Sequence, residues 1–415
     1  MATVWRWLSR LLLALLVPIA LFAAIWAYGR LTSPTPAQQA AIAVMQQDDG
    51  GDTAGENGFP LMMALPPAPG PLPDAVNCGN SADAQCIAAI EAAPEASAAA
   101  IEPFRAHLEA AARALRAPVF RDRRTNADLR FDDLPPFQAV VQLDSLRALD
   151  FAAGNTVGAL SAACDDAAAM ARWAATPDTL LQGMVSIAAF RQHSALIADM
   201  RRRAPGDALP PSCVALTQSP DAAAEGLLCP ALRGEFRYQQ RTLPSLETEM
   251  VAHGDNAWAE RLTPLMHDTE WMLGQTARAF SAACGESAKQ AAREDRAVPL
   301  TGAEPRWVDY VAFPTSVLLA DIAMPAYTDY TERQLDFVAQ RRLLAAFLQM
   351  DAMDAALTPA QRFEALPETL RAGPRPLRFD ASSGLLVVPL RGRLNGPGGG
   401  EATLPVPVPV PPPAA

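Results

Sequence analysis

Lysine is almost missing from this chain. Lys289 is the single one in 415 residues, and arginine carries nearly all the positive charge. That scarcity excludes activities that need a lysine in a set motif: P-loop phosphate binding, kinase-type phosphoryl transfer, Schiff-base chemistry and Ser-x-x-Lys acyl transfer. Histidine is scarce too, at four residues, and aromatics make up only 7%. No Cys-x-x-Cys, Gly-x-Ser-x-Gly, His-Glu-x-x-His, Gly-x-Gly-x-x-Gly or EF-hand loop occurs. Zinc-ribbon, thioredoxin-type, serine-hydrolase, zincin, dinucleotide and calcium-loop chemistry therefore lack their residues. With 34 Lys+Arg against 45 Asp+Glu, the formal charge of -11 opposes non-specific nucleic-acid binding.

What the sequence has in quantity is alanine, arginine and proline, the last at 38 residues, with few clusters of Val, Ile, Tyr or Thr. That composition predicts helices separated by proline-rich loops. It begins with a continuous apolar run from Leu11 to Tyr28 between Arg10 and Arg30. About 18 to 20 such residues cross the hydrocarbon core of a bilayer. Arg6, Arg10 and the amino terminus precede the run, while Asp48, Asp49, Asp52 and Glu56 follow Arg30. The positive-inside rule then keeps the N-terminus cytoplasmic and exports the rest. Trp5, Trp7, Trp26 and Tyr28 mark the two headgroup zones. A cleaved signal peptide with Ala27-Tyr28-Gly29 as its cut site is the competing reading, but its apolar region would exceed the usual ~7 to 15 residues. A second span over residues 308–327 is rejected, because Asp309 and Asp321 would enter hydrocarbon at a cost of several kcal/mol. The expectation is a single pass through a bacterial inner membrane with the body in the periplasm.

The cysteines agree with export. Cys78, Cys86, Cys164, Cys213, Cys229 and Cys284 all follow the anchor, and an even count in an oxidising compartment favours disulfides. Cys78 and Cys86 form the easiest local pair. Cys164 with Cys213 and Cys229 with Cys284 would each close a helical hairpin. Pairing of Cys213 with Cys229 remains open, as does the reading of Cys164 and Cys284 as small buried thiols.

The expected organisation is a cytoplasmic N-terminus at 1–10, a transmembrane anchor at 11–28 and an extended Pro/Gly/Ala-rich tether at 29–76. A helical periplasmic domain follows at 77–376, then a β-hairpin cap at 377–394 and a Gly/Pro-rich tail at 395–415 ending in polyproline II. The fold class is mostly α: an irregular antiparallel helical bundle or hairpin array with a small C-terminal β-hairpin and one N-terminal transmembrane helix. Thr176-Pro177, Thr263-Pro264 and Thr358-Pro359 read as N-caps with proline at the first helical position. Helices are expected over 83–116, 136–153, 156–174, 177–203, 222–253, 264–284, 328–354 and 359–366, with another opening at Thr315 or Ser316. The hairpin is expected at residues 377–380 and 385–390 around a turn at Ala381 to Gly384. No 34-residue repeat supports a TPR array.

Candidate chemistry is thin. His107 and His193 lie in amphipathic patterns without a ligand at i+4 and read as surface or interface imidazoles. The one cluster that could hold zinc or another divalent ion is His253, Asp255, His267 and Glu270, with Asp268 between. Asp268 and Glu270 fit equally well as acids at a helix N-terminus. Asp132-Asp133 and Asp165-Asp166 are adjacent pairs whose members point apart on a helix and cannot share a substrate. Arg121, Arg123 and Arg124 read as a solvated basic face. No catalytic or cofactor-binding residue is assigned, and no cofactor is expected.

Several segments together resemble a family of signal-anchored, mostly helical envelope proteins of gammaproteobacteria. They are the anchor, Asn57-Gly58, Cys78 with Cys86, Leu146-Arg-Ala-Leu-Asp-Phe-Ala-Ala-Gly154, Cys229-Pro-Ala-Leu-Arg-Gly-Glu-Phe236 and Pro325-Ala-Tyr-x-x-Tyr-x-x-Arg333. The resemblance implies location and architecture over residues 57–392 and transfers no activity or site residue. The functional expectation is a membrane-tethered periplasmic scaffold or accessory binding protein that engages an envelope partner through a groove between helices. The competing expectation is an envelope hydrolase, metal-assisted through His253 and His267.

Overall fold

Alanine sets how closely the central helices approach. Helix α9, Thr156–Ala175, buries Ala159, Ala163, Ala167, Ala171 and Ala174 at near four-residue spacing. That small-residue stripe lets α8, Leu143–Ala152, and α10, Leu180–Arg203, pack against it. The computed structural model describes residues 2–47, 55–78, 86–124, 134–205, 208–252, 265–392 and 400–406. It is 67% helical, with a small three-stranded antiparallel sheet near the C-terminus and one apolar N-terminal helix.

The spine of the body is α17, Pro314–Asp351, 38 residues long and thus about 57 Å at 1.5 Å per residue. The sequence pattern divides it around Pro325. The structure carries the helix straight through, because both halves are held by burial: Phe313 and Val317 at one end, Phe337, Leu344 and Phe347 at the other. Phe337 meets Phe190 of α10 edge-to-face, with ring centres 5.4 Å apart. The same end of α17 packs beneath the sheet. Strand β2, Leu385–Leu390, lies between β1, Arg378–Asp380, and β3, Gly400–Pro405, antiparallel to both. Leu386, Val388, Leu390, Ala402 and Leu404 alternate onto the helical core. Gly384 closes the β1–β2 turn at φ +69, donating its N–H to the Asp380 carbonyl at 2.8 Å.

Five expectations about local structure change in the fold. The segment 29–76 is not simply an extended tether. It contains α2, Pro36–Met45, which buries Ala41 and Met45, and α3, Gly58–Met63, which buries Phe59 and Met62. Thr35 caps α2 through a capping box with Gln38, and Asn57 caps α3. The tail from 395 is not all linker, since β3 extends the expected hairpin into a sheet; its residues 395–399 and 407–415 fall outside the described set. Thr176-Pro177 does not start α10. Thr179 does, accepting from Gln182 N at 3.1 Å, whereas Thr358 caps α18, Pro359–Ala365, as expected. The helix expected over 136–153 is interrupted at Gln142, between α7, Gln138–Val141, and α8, where Ser145 N–H turns back to the Gln142 carbonyl at 3.1 Å. Gly154 ends α8 at φ +92, as its C′ position requires. The stretch expected as 83–116 is three helices: α4, Cys86–Ala92, α5, Pro94–Ile101, and α6, Arg105–Arg116.

The cysteines pair as Cys78–Cys86, Cys164–Cys213 and Cys229–Cys284, with Cα atoms 5.4, 5.0 and 5.0 Å apart. The second joins α9 to α11, Pro211–Ala215. The third joins the start of α13, Cys229–Ala252, to the residues just after α14, Thr269–Ser281.

Helix α1, Ala2–Leu31, is long and apolar enough to cross a membrane. Its residues from Arg10 to Ala24 are exposed, and the body begins to cover it at Ile25. Trp26 Nε1 donates to the Leu265 carbonyl at 3.0 Å, and Arg30 pairs with Asp268 at 3.3 Å. Gly29 abuts α16, Asp309–Ala312, so closely that a Cβ there would fall 2.5 Å from the Ala312 Cβ.

Candidate functional site: a cleft between α10, α13 and α17

Glycine at position 234 determines how α13 meets α10. A Cβ on Gly234 would overlap the Asp178 carbonyl oxygen, so only glycine allows the two backbones to come this close. The next residue, Glu235, is thereby carried to the first turn of α10, where its Oε2 accepts from Leu180 N at 3.4 Å. Asp178, just before that turn, accepts from Arg121 Nη1 at 2.9 Å and from Asp122 N at 2.7 Å. Arg124 in turn pairs with Asp122 and lies 4.9 Å from the Phe59 ring centre. The 121–124 arginines expected on a solvated face thus include two that fasten this corner.

The junction leaves a cleft of about 460 Å³ lined by Leu180, Leu181, Met184, Glu235, Tyr327, Tyr330 and Arg333. Leu180, Leu181 and Met184 form an apolar wall from successive turns of α10. Tyr327, Tyr330 and Arg333 recur every three residues on α17 and so share one face. Tyr327 packs edge-on against Phe280 with ring centres 5.0 Å apart. Gln239, one turn after Glu235 on α13, donates from Nε2 to Tyr327 Oη at 3.2 Å and to Glu235 Oε1 at 3.4 Å.

The electrostatics of this cleft are unusual in one respect: a carboxyl and a guanidinium line it together without pairing. Burial pushes the Glu235 carboxyl above its ordinary value, more strongly than the bonds from Gln239 and Leu180 N pull it down. Burial, and then the neighbouring Glu235 charge, raise the Tyr327 phenol. Arg333 makes no ion pair among the described residues, its buried Nε has no hydrogen-bond partner there, and its guanidinium stacks 4.8 Å from the Tyr330 ring centre. The site can therefore offer an apolar wall, two phenols, a carboxyl biased toward its neutral form, and one uncommitted cation.

Of the residues expected to hold a metal, His267, Glu270 and the intervening Asp268 are among those described. His253 and Asp255 lie outside the described residues. His267 is buried, with Nδ1 3.1 Å from Ser316 Oγ, and its carbonyl accepts from Arg30 Nη2 at 3.1 Å. Asp268 caps α14, accepting from Trp271 N at 2.8 Å, and Glu270 is exposed. Among the described residues no group of three or more His, Cys, Asp or Glu could hold a metal ion. His107 is a buried interface imidazole, its Nδ1 2.6 Å from the Pro66 carbonyl. His193 sits in the core against Asp144.

The cleft residues were in view in the sequence without being assigned a site. Tyr327, Tyr330 and Arg333 belong to the Tyr-x-x-Tyr-x-x-Arg segment, and Gly234-Glu235 to the segment after Cys229. The three-residue spacing marked one helix face; nothing in either segment announced that the two would meet. No protein-family model, curated protein or solved structure matches the chain.

Proposed function

We propose that this chain is a membrane-anchored accessory or scaffold protein whose helical body lies in the periplasm and binds an envelope protein partner at the α10–α13–α17 cleft. The observation that carries the reading is Arg333. A buried donor left unsatisfied costs about 1 to 3 kcal/mol, and an arginine held in that condition beside an apolar wall is suited to a ligand that supplies the missing acceptor. A segment presenting an apolar side chain next to a carboxylate matches the cleft on both counts, with the apolar group against Leu180, Leu181 and Met184 and the carboxylate on Arg333. Export of the body is supported by the length and apolarity of α1 and by three cysteine pairs in disulfide contact.

A second reading has one observation in its favour. A carboxyl raised by burial in a cleft is the kind of group a hydrolase uses as a general acid, and Glu235 is such a group.

The test places a photo-crosslinking amino acid at exposed Leu181 in intact cells. One partner should be captured reproducibly, and Arg333→Glu should lower its yield by about tenfold, the equivalent of ~1.4 kcal/mol. Capture that ignores Arg333→Glu would contradict the reading. So would turnover of a peptide or peptidoglycan substrate lost on Glu235→Gln. Stoichiometric zinc in the purified chain, lost on His267→Ala, would instead favour the metal-assisted hydrolase.

A further inference from the structure

Where the body grips α1 fixes how near it sits to the bilayer. If hydrocarbon begins at Leu11, about 20 residues at 1.5 Å rise carry the helix to the neighbourhood of Arg30 before it is through. Coverage by the body already starts at Ile25. The clamp made by Trp26 with the Leu265 carbonyl, Gly29 with α16, and Arg30 with Asp268 therefore falls at the outer edge of the hydrocarbon. Such a body is not held away from the membrane by a flexible linker.

The residues beside that clamp are exposed and apolar. Trp307 is 67% exposed and follows Arg306, whose Nη1 donates to Thr32 Oγ1 at 3.1 Å, just past the end of α1. Tyr310 is exposed within α16, the helix against Gly29. In the first turns of α17, Leu318 and Ile322 are 59% and 68% exposed one turn apart on the same face, with Leu319 beside them. Leu265 presents an exposed side chain while its carbonyl holds Trp26. Large exposed apolar groups gathered at one end of a body mark an interaction surface. Tryptophan and tyrosine are the aromatics that settle at headgroup level. Asp321, also exposed, flanks the Leu318–Ile322 face and limits the depth to the headgroup zone, where a carboxylate stays hydrated.

We propose that the body carries a second membrane contact: the surface formed by Trp307, Tyr310, Leu318, Leu319, Ile322 and Leu265 rests in the outer headgroup region of the bilayer that α1 crosses. This rests on α1 being a span. The two contacts together fix the body's orientation, which a single helix and a linker would leave free. The occupant is lipid because the surface is continuous with the point at which α1 leaves the bilayer.

The experiment uses the full chain in vesicles of phosphatidylethanolamine and phosphatidylglycerol, with a diazirine-bearing amino acid placed in turn at Ile322, Tyr310, Leu16 of α1 and Val214 of α11. All four positions are exposed, so the fold tolerates them. Lipid adducts at Ile322 and Tyr310 should come within about threefold of Leu16 and exceed Val214 by about tenfold, as for groups seated in the interface. Labelling at Leu16 without labelling at Ile322 and Tyr310 would overturn the second contact and leave the span intact. Absence of lipid adducts at Leu16 as well would overturn the span, and this proposal with it. Adducts from Ile322 to another copy of the chain instead of lipid would also overturn it.

Discussion

His193 Nδ1 lies 2.6 Å from Asp144 Oδ1, and both side chains are sealed from solvent where α8 meets α10. Burial opposes the imidazolium most strongly, and Arg147 adds to that opposition. The Asp144 charge and hydrogen bond, with help from Asp166, outweigh them and raise the His193 pKa above its ordinary 6.5. A folded value above the unfolded one stabilises the protein fully below about pH 6.5, and that contribution disappears as pH climbs through the raised value. Urea unfolding should therefore show a midpoint that falls on going from about pH 6 to pH 9. His193→Gln should flatten that part of the profile; an unchanged slope in the variant would show that the imidazole is not its source.

Asp166 is fully buried and accepts from two arginines, Arg116 Nε on Oδ1 and Arg147 Nε on Oδ2, each at 2.8 Å. Its neighbour Asp165 faces outward enough to stay partly exposed, as adjacency on a helix requires. Asp166→Ala leaves the Arg147 charge buried without its partner and should cost about 3 to 5 kcal/mol. Denaturant titration would read this directly, and Asp165→Ala should fall within about 0.5 kcal/mol of the parent.

The Cys164–Cys213 and Cys229–Cys284 disulfides close separations of 49 and 55 residues. Chain entropy assigns each loop of that size about 4 kcal/mol of stabilisation, at the upper end of the usual range. Protein isolated from the envelope under non-reducing conditions should resist alkylation at all six cysteines, and reduction should lower its unfolding midpoint. Free thiols at Cys164 and Cys213 would remove both the bond and the inference about compartment.

Glu235 works against folding at neutral pH, because burial raises its carboxyl and deprotonation above pH 4.5 has to be forced. Glu235→Gln keeps the shape and the acceptor for Leu180 N without the charge. It should raise the urea midpoint at pH 7 and leave partner capture through Arg333 undiminished, since it removes a negative charge beside the carboxylate expected there. A midpoint lowered by Glu235→Gln would show that the buried charge is not a cost to the fold.

These residues also show what was legible in the sequence. The α9 and α10 helices could be read because alanine and leucine repeat at helical spacing, and the β1–β2 hairpin because Leu385 to Leu390 follows a turn with glycine at its end, whereas β3 lay in a stretch that looked like a Gly/Pro-rich tail. The α2 helix was missed because alanine and proline richness in 29–76 looked like linker. Its signal was nonetheless present: Thr35-Pro36-Ala-Gln38 repeats the Thr358-Pro359-Ala-Gln361 device that opens α18. Thr176-Pro177 misled because Thr179, three residues on, offers a better-placed hydroxyl to Gln182. The cleft was not legible at all, since it depends on Gly234 meeting the Asp178 carbonyl across 56 residues of chain, a long-range packing event that no local pattern encodes.

Compartment, disulfides, bilayer contact and class of partner all depend on α1 crossing the membrane once with the body outside. The most direct measurement is a pair of reporters fused after Ala415 of the full chain, one active only in the periplasm and the other only in the cytoplasm. The account predicts activity of the periplasmic reporter, retained in the membrane fraction, and silence of the cytoplasmic one. Activity of the cytoplasmic reporter at that position would contradict it.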